Sequence, residues 1–331
     1  MAERLGLRSV EMTPGGQRPT KSAIILRLDD IQARFDEFVN TTSSLHIDEA
    51  YIITASPDSD TPTSDVVDVV GQSSAGVFYG VQTLLSLLTP DKIGRRRLAV
   101  GELVDAPRFS YRGLMLDVAR NFLAKDVVLR TIDVMAAYKM NQLHLHLTDD
   151  QGWRFDVPDL PELTAVGARR GHVSPHSKAD RSMLLPYLGS GPSPNDATRN
   201  GGGGFYSRED YRDILRHARR RHVTVIPEVD VPGHSAAAIM STRAQKLDRV
   251  RKNFTLVDPV DLLDYVSVSN YKHNVINLCS PSSLAFVEHI ITTLIELHKV
   301  RQSASNTCRR LSIILHVGLV GSLCSQGVST F

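Results

Sequence analysis

The chain has 331 residues, 42% of them hydrophobic and 22% charged, with 38 basic against 36 acidic side chains and a net charge of +2. Nothing in that balance asks for nucleic acid or an anionic membrane as partner, and the short runs Arg95–Arg97 and Arg219–Arg221 read as solvated helix ends or loops. Three cysteines (Cys279, Cys308 and Cys324) without CxxC spacing argue against a zinc site, a redox dithiol or a disulfide scaffold. No stretch is long and apolar enough to span a bilayer, and the opening residues show no apolar segment of a secretory signal.

Residues 1–20 are polar and contain Gly and Pro, and are expected to be poorly ordered. From 21 to 106 the pattern predicts a small α+β domain. Ala23–Leu26, Tyr51–Thr54 and Val66–Val70 are β-branched runs that read as strands. Pro57–Ser64 is turn-rich. Gly76–Leu88 reads as a helix, apolar on most sides and stopped by Pro90.

From 107 to 318 the rhythm becomes strand–helix alternation. Tyr111–Val118 is a mostly apolar run. Asp126–Tyr138 places Val128, Ile132, Met135 and Ala136 at helical spacing. Gln142–Thr148 alternates strictly, and Pro158–Gly204 is too long for an ordinary connection. Ser207–Asp210 forms an N-cap box, opening a helix with Tyr211, Leu215, Ala218 and His222 on one face. Val223–Val229 is the next strand. Pro281–Ser283 opens a helix with Phe286, Ile290, Ile291 and Leu294 inside, and Leu311–Val317 is a fourth strand. This alternation argues for a parallel sheet in an α/β fold. A complete TIM (β/α)8 barrel takes roughly 250 residues, so a barrel here would reach only about four β/α units.

Three stretches can carry chemistry. In His144-Leu145-His146-Leu147-Thr148-Asp149-Asp150 the two histidines share one face of a strand, and two carboxylates follow at its C-terminal end, where barrel enzymes place their sites. Two hydrogen-bonded core histidines and a helix-capping acid pair would give the same pattern. In Ile226-Pro227-Glu228-Val229-Asp230-Val231-Pro232-Gly233-His234 a strand ends in acids, turns at Pro-Gly and presents a histidine that could meet Asp149 from the neighbouring strand. Arg112 and Arg120 flank the run Gly113–Ala119, and a buried arginine there needs a partner. Trp153, the single tryptophan, suits either a sugar platform or a packed core. From the residues alone, two readings stay open: a metal site of His144, His146, Asp230 and His234, or a sugar site of carboxylates, an arginine and an aromatic ring.

Arg112–Arg120, His146–Arg154 and Pro227–His234, in that order, together resemble the β-N-acetylhexosaminidases of glycoside hydrolase family 20, in their chitobiase-like branch. Gly203-Gly204-Phe205-Tyr206 and Asn274–Cys279 add to the resemblance, which runs over roughly residues 45–318. It implies a metal-independent, cofactor-free glycosidase that removes terminal N-acetylglucosamine or N-acetylgalactosamine from glycans or chitooligosaccharides. Catalysis in the family is retaining and substrate-assisted, with the substrate acetamido oxygen as nucleophile. By that resemblance Arg112 would hold the outer hydroxyls of the sugar, Asp149 and His234 would support the acid, and His146 and Asp230 would line and brace the pocket. Members are commonly lysosomal, secreted or periplasmic.

The fourth strand departs from the family pattern. Where the family carries His-x-Gly-Gly-Asp-Glu, this chain reads His316-Val317-Gly318-Leu319-Val320-Gly321, and no acid follows Glu296. The expectation is a chain that lacks the catalytic Asp-Glu pair and is inactive by itself, with residues 319–331 an aberrant tail. The competing expectation is a non-catalytic sugar-binding or interaction fragment.

Overall fold

The computed structural model describes residues 23–38, 45–57, 65–90, 96–171, 184–191, 201–245, 254–258, 270–299 and 314–316. The expected disorder of residues 1–20 and the tail from 319 lie outside the described residues. The chain forms two compact units, one of residues up to Arg112 together with 134–141, the other of 113–133 and the residues from 142 onward.

The first unit is built on a four-stranded mixed sheet of β1 (Ala23–Leu28), β2 (Tyr51–Pro57), β3 (Asp65–Gly71) and β4 (Gly101–Asp105) in the order β1-β3-β2-β4. β1 runs parallel to β3, and β2 runs antiparallel to both of its neighbours. Its strands alternate between two buried faces. Tyr51, Ile53 and Val69 pack with Tyr79, Val81 and Leu84 of helix α2 (Ser74–Leu87), while Ala50 and Ile52 pack with Ile31 and with Phe35 of helix α1 (Gln32–Phe38). Two covered faces explain why β2 and β3 read as near-continuous apolar runs. Each such side chain removed from water contributes about 1.5–3 kcal/mol. The helix begins two residues before Gly76 because the Ser73 hydroxyl accepts from the N–H groups of Ala75 and Gly76. Gly76 itself lies against the backbone that leads into β2, where an added Cβ would fall 2.2 Å from the Ala50 carbonyl oxygen.

The second unit holds four parallel strands, β5 (Gly113–Asp117), β6 (Gln142–His146), β7 (Thr224–Asp230) and β8 (Ile314–His316), in the spatial order β8-β7-β6-β5. Helices fill the connections: α3 (Lys125–Ala137) between β5 and β6, α4 (Glu162–Ala165) and α5 (Arg208–Arg220) before β7, and α6 (Ala236–Gln245) and α7 (Pro281–His298) before β8. Each strand neighbours the next in sequence, the order of a singly wound barrel; a doubly wound sheet reverses direction part-way. Among the described residues the sheet does not close on itself.

The helix boundaries follow the capping chemistry. Ser207 and Asp210 form a reciprocal capping box at the start of α5. The buried face of α5 is Tyr211, Ile214 and Ala218; Leu215 is only partly covered, and His222 lies beyond the helix end at φ 55°. In α7 Phe286, Ile290, Leu294 and Leu297 are buried and Ile291 is only partly so. Cys279, just before α7, is disulfide-bonded, which the sparse cysteine count did not lead us to expect.

Register decides what the strands present. Leu114, Leu143 and Val225 align across β5, β6 and β7, and so do Asp117, His146 and Glu228. The leucines of β6, with Leu147, are fully buried. One face of this sheet is therefore apolar, and the other carries a row of ionisable groups at its C-terminal end.

Candidate active site

The polar row forms a connected chain of side chains. A single oxygen of Glu228, Oε2, lies 2.6 Å from His144 Nε2 and 2.7 Å from His146 Nδ1. His144 sits one side-chain step back along β6 from His146, so its ring reaches Glu228 diagonally across the strand pair. The other ring nitrogen of His146, Nε2, lies 3.0 Å from Asp149 Oδ2 and 3.0 Å from Arg120 Nη1. Arg120 follows the C-terminal end of β5 and pairs with Asp149 Oδ2 at 2.6 Å and Asp117 Oδ2 at 2.9 Å. Asp117 also fixes the turn after β5, its Oδ1 accepting from the N–H groups of Ala119 and Arg120.

These contacts settle the charges. Burial works against the charged His146 ring, but hydrogen bonds to Asp149 and Glu228 outweigh it and hold its pKa above the usual value. Burial would raise Glu228, yet the two histidines win and lower it. Burial also disfavours the Arg120 charge, and Asp149 and Asp117 more than compensate. The site thus keeps an ionised Glu228 beside a ring whose protonation its acidic neighbours favour, with the Arg120 guanidinium next to them, each nearly or partly removed from water.

The adjacent acids of the Asp149-Asp150 pair do different work. Asp150 is a cap: its Oδ1 accepts from the N–H of Ala236, the first residue of α6, and its Oδ2 accepts from the Asn274 amide. Burial raises its pKa against those two donors. Asp149, fully buried, faces the polar chain. The turn after β7, with a cis Val231–Pro232 peptide and His234 at φ 51°, brings His234 Nδ1 to 3.4 Å from Asp149 Oδ1 and 3.4 Å from Asp150 Oδ2. The Asp230 backbone N–H donates to Thr148 Oγ1, which ties β7 to the strand end that carries Asp149.

The site residues expected from the sequence divide accordingly. Asp149, His146, Asp230 and His234 come together. Arg112 does not join them: it precedes β5, at the opposite end of the strand from Asp117, and its guanidinium is tied to Glu49 at 2.8 Å and to the carbonyls of Lys139 and Phe109. The arginine in contact with Asp149 is Arg120. Trp153 is no sugar platform; it is 2% exposed, stacked on Phe155, and its indole N–H donates to the Phe155 carbonyl. Glu228 and Asp117 were legible only as strand residues. The strand register, which puts both beside His146, was the missing signal.

His146, Asp149 and Asp230 lie within ligating distance of one another, as do Asp149, Asp150 and His234. In the first group the Arg120 guanidinium already supplies the positive charge that a metal ion would bring, and a cation there would have to displace it.

Residues 109–318 match the model of the glycosyl hydrolase family 20 catalytic domain, and residues 2–106 match that of glycosyl hydrolase family 20, domain 2. The chain belongs to glycosyl hydrolase family 20. It is 40% identical over 289 residues to a beta-hexosaminidase of Vibrio vulnificus, covering 83% of this chain and 33% of that protein. With N,N'-diacetylchitobiase of Vibrio harveyi it shares 44% identity over 244 residues, covering 71% and 26%. The chain therefore spans between a quarter and a third of these relatives. Among solved structures, it superposes on the family 20 exo beta-N-acetylglucosaminidase of Vibrio harveyi in complex with N-acetylglucosamine, with TM-score 0.64 and 32% identity over 84% of this chain and 42% of that one. It also superposes on a mutant Streptomyces plicatus beta-hexosaminidase in complex with N-acetylglucosamine, with TM-score 0.59 and 30% identity over 89% and 49%. The α/β architecture, the four sequential parallel strands and the preceding small domain are thus those of family 20, whose catalytic domain is a TIM barrel.

Proposed function

We propose that the second unit carries the sugar-gripping part of a β-N-acetylhexosaminidase site for terminal, non-reducing N-acetylglucosamine or N-acetylgalactosamine. The observation that carries this reading is the contact of Arg120 with Asp149 and His146 at the C-terminal ends of three parallel strands, with His234 beside Asp149. A guanidinium fork suits the paired hydroxyls of a pyranose. Arg120 takes that role, and Asp149 with His234 is the pair that would orient a catalytic acid. His146, with both ring nitrogens engaged, braces Arg120 and Asp149, and Asp230 lines the same strand end.

Substrate-assisted hydrolysis also needs a carboxylate to orient the acetamide and a carboxylic acid to protonate the leaving oxygen. The 331-residue chain has no acid after Glu296, so we infer that by itself it binds the sugar without cleaving it. General acid–base help alone supplies about 10²–10⁴ of rate. The test is to titrate the 331-residue chain with N-acetylglucosamine by NMR and to incubate it with a chromogenic N-acetylglucosaminide. The expected result is perturbation of Arg120 and His234, abolished by Arg120→Ala, with no chromophore released. Release of chromophore would refute the inactivity. Silence of Arg120 and His234 at saturating sugar would refute the site.

A further inference from the structure

Burying a guanidinium costs several kcal/mol unless its donors are answered. Among its described residues the second unit has two arginines that are 0% exposed, Arg154 and Arg170. Arg154 meets no carboxylate among the described residues. Its Nε donates to the Val118 carbonyl at 2.9 Å, Nη2 to Ala119 at 2.8 Å, and Nη1 to Gly202 and Gly204 at 3.0 Å each, with Ala168 at 3.4 Å. Arg170 Nη1 donates to the carbonyls of both Arg120 and Gln151 at 2.8 Å, while Nη2 reaches Leu188 O at 2.9 Å and Nε reaches Ser190 Oγ at 2.9 Å. Burial lowers both pKa values, that of Arg154 to about 9, with the Arg170 charge as its second cause. The fit is close: a Cβ on Gly152 would fall 2.5 Å from the guanidinium carbon of Arg154.

The carbonyls so held are not scattered. Val118, Ala119 and Arg120 are the three consecutive residues of the turn that carries the Arg120 side chain into the site, and Gln151 directly follows Asp149 and Asp150. Asp117 answers the N–H groups of Ala119 and Arg120, the His146 carbonyl accepts from the Val118 N–H, and the two buried arginines answer the C=O groups of the turn, so its backbone is fully accounted for. One nitrogen, Arg170 Nη1, thereby ties the loop bearing the guanidinium to the loop bearing the acids. A lysine could not reproduce this, because only a planar fork meets four acceptors at fixed angles.

We propose that Arg170, seconded by Arg154, is a positioning residue of the sugar site: by gathering the carbonyls of Arg120 and Gln151 it sets the 2.6 Å contact between the Arg120 guanidinium and Asp149, and with it the grip on the sugar hydroxyls. The second half of this claim rests on the sugar-binding reading above; the first half does not. The experiment compares the 331-residue chain with Arg170→Lys by two readouts. The first, without sugar, is the NMR signal of the Arg120 Nη–Hη groups, assigned with Arg120→Lys, which resist solvent exchange while the guanidinium is held in its ion pairs. The second is the dissociation constant for N-acetylglucosamine.

Arg170→Lys should lose the exchange protection of Arg120 and weaken sugar binding by about tenfold, the equivalent of one charge-assisted hydrogen bond. Gly76→Ala, which destabilises the other unit, should move neither readout, which separates positioning from general loss of stability. An Arg120 signal unchanged in Arg170→Lys overturns the proposal. Loss of protection in the variant with no sugar binding by either protein supports the positioning and overturns only the sugar-binding reading. If Arg170→Lys does not fold, Ser190→Ala removes the acceptor of Arg170 Nε, together with that of the Tyr187 N–H, and leaves the Arg170 guanidinium in place. It should reduce the protection in the same direction, and full protection there overturns the proposal.

Discussion

Acidification should weaken this fold through a histidine outside the site. His298, in the last turn of α7, points at α5, where its Nε2 lies 3.0 Å from the Tyr211 hydroxyl. Burial is the cause of its depressed pKa, about 4 against an ordinary 6.5. A histidine depressed in the folded state stabilises the fold fully above the unfolded value. That stabilisation is lost as pH falls from the unfolded pKa toward the folded one. A separation of about two and a half pH units is worth about 3 kcal/mol, and about 2 kcal/mol of it should be gone by pH 5. The assay is urea denaturation of the 331-residue chain and of His298→Leu at pH 7.5 and pH 5, read as the difference of differences so that other titrating groups cancel. The leucine variant should lose about 2 kcal/mol less stability on acidification than the parent chain. Parallel losses would refute the argument that the ring is held neutral by its burial between α5 and α7.

Glu228→Gln removes the charge shared by His144 and His146 and should cost about 2–3 kcal/mol, the worth of a hydrogen bond to a charged group. It should also lower the His146 pKa, followed by NMR titration of its ring proton, because burial then opposes protonation with less help. In the parent chain the elevated His146 pKa gives stability that is full below about 6.5 and fades as pH rises through the folded value; an unmoved His146 titration would refute the network. Gly76→Ala should lower the unfolding free energy, read by urea denaturation, by about 1–3 kcal/mol despite the better helix former, because the new methyl meets the Ala50 carbonyl. Gly233→Ala, where a Cβ meets nothing within 4 Å, should be close to neutral, and equal effects at the two positions would overturn the packing argument.

Much of the architecture was written locally. Strict alternation in Gln142–His146 puts its leucines on one face and its histidines on the other whatever the neighbours are, because successive strand side chains oppose each other. Ser207 and Asp210 start α5 by closing a hydrogen-bonded ring within four residues. The Asp149–His234 approach was also legible, since both residues follow strand ends and those ends lie on one side of a parallel sheet.

What the sequence could not decide is which of two arginines reaches the acids. Arg112 and Arg120 flank the same strand in similar company, and only the direction of β5 and the position of Glu49 tie the first away and send the second to Asp149. The same holds for Glu228, one acid among several until register laid it beside His146, and for Arg154 and Arg170, whose value lies in carbonyls far along the chain. Periodicity and capping are short-range and survive in a string of letters. Pairing of charges depends on distances between residues that are remote in sequence, and those exist only once the strands are side by side.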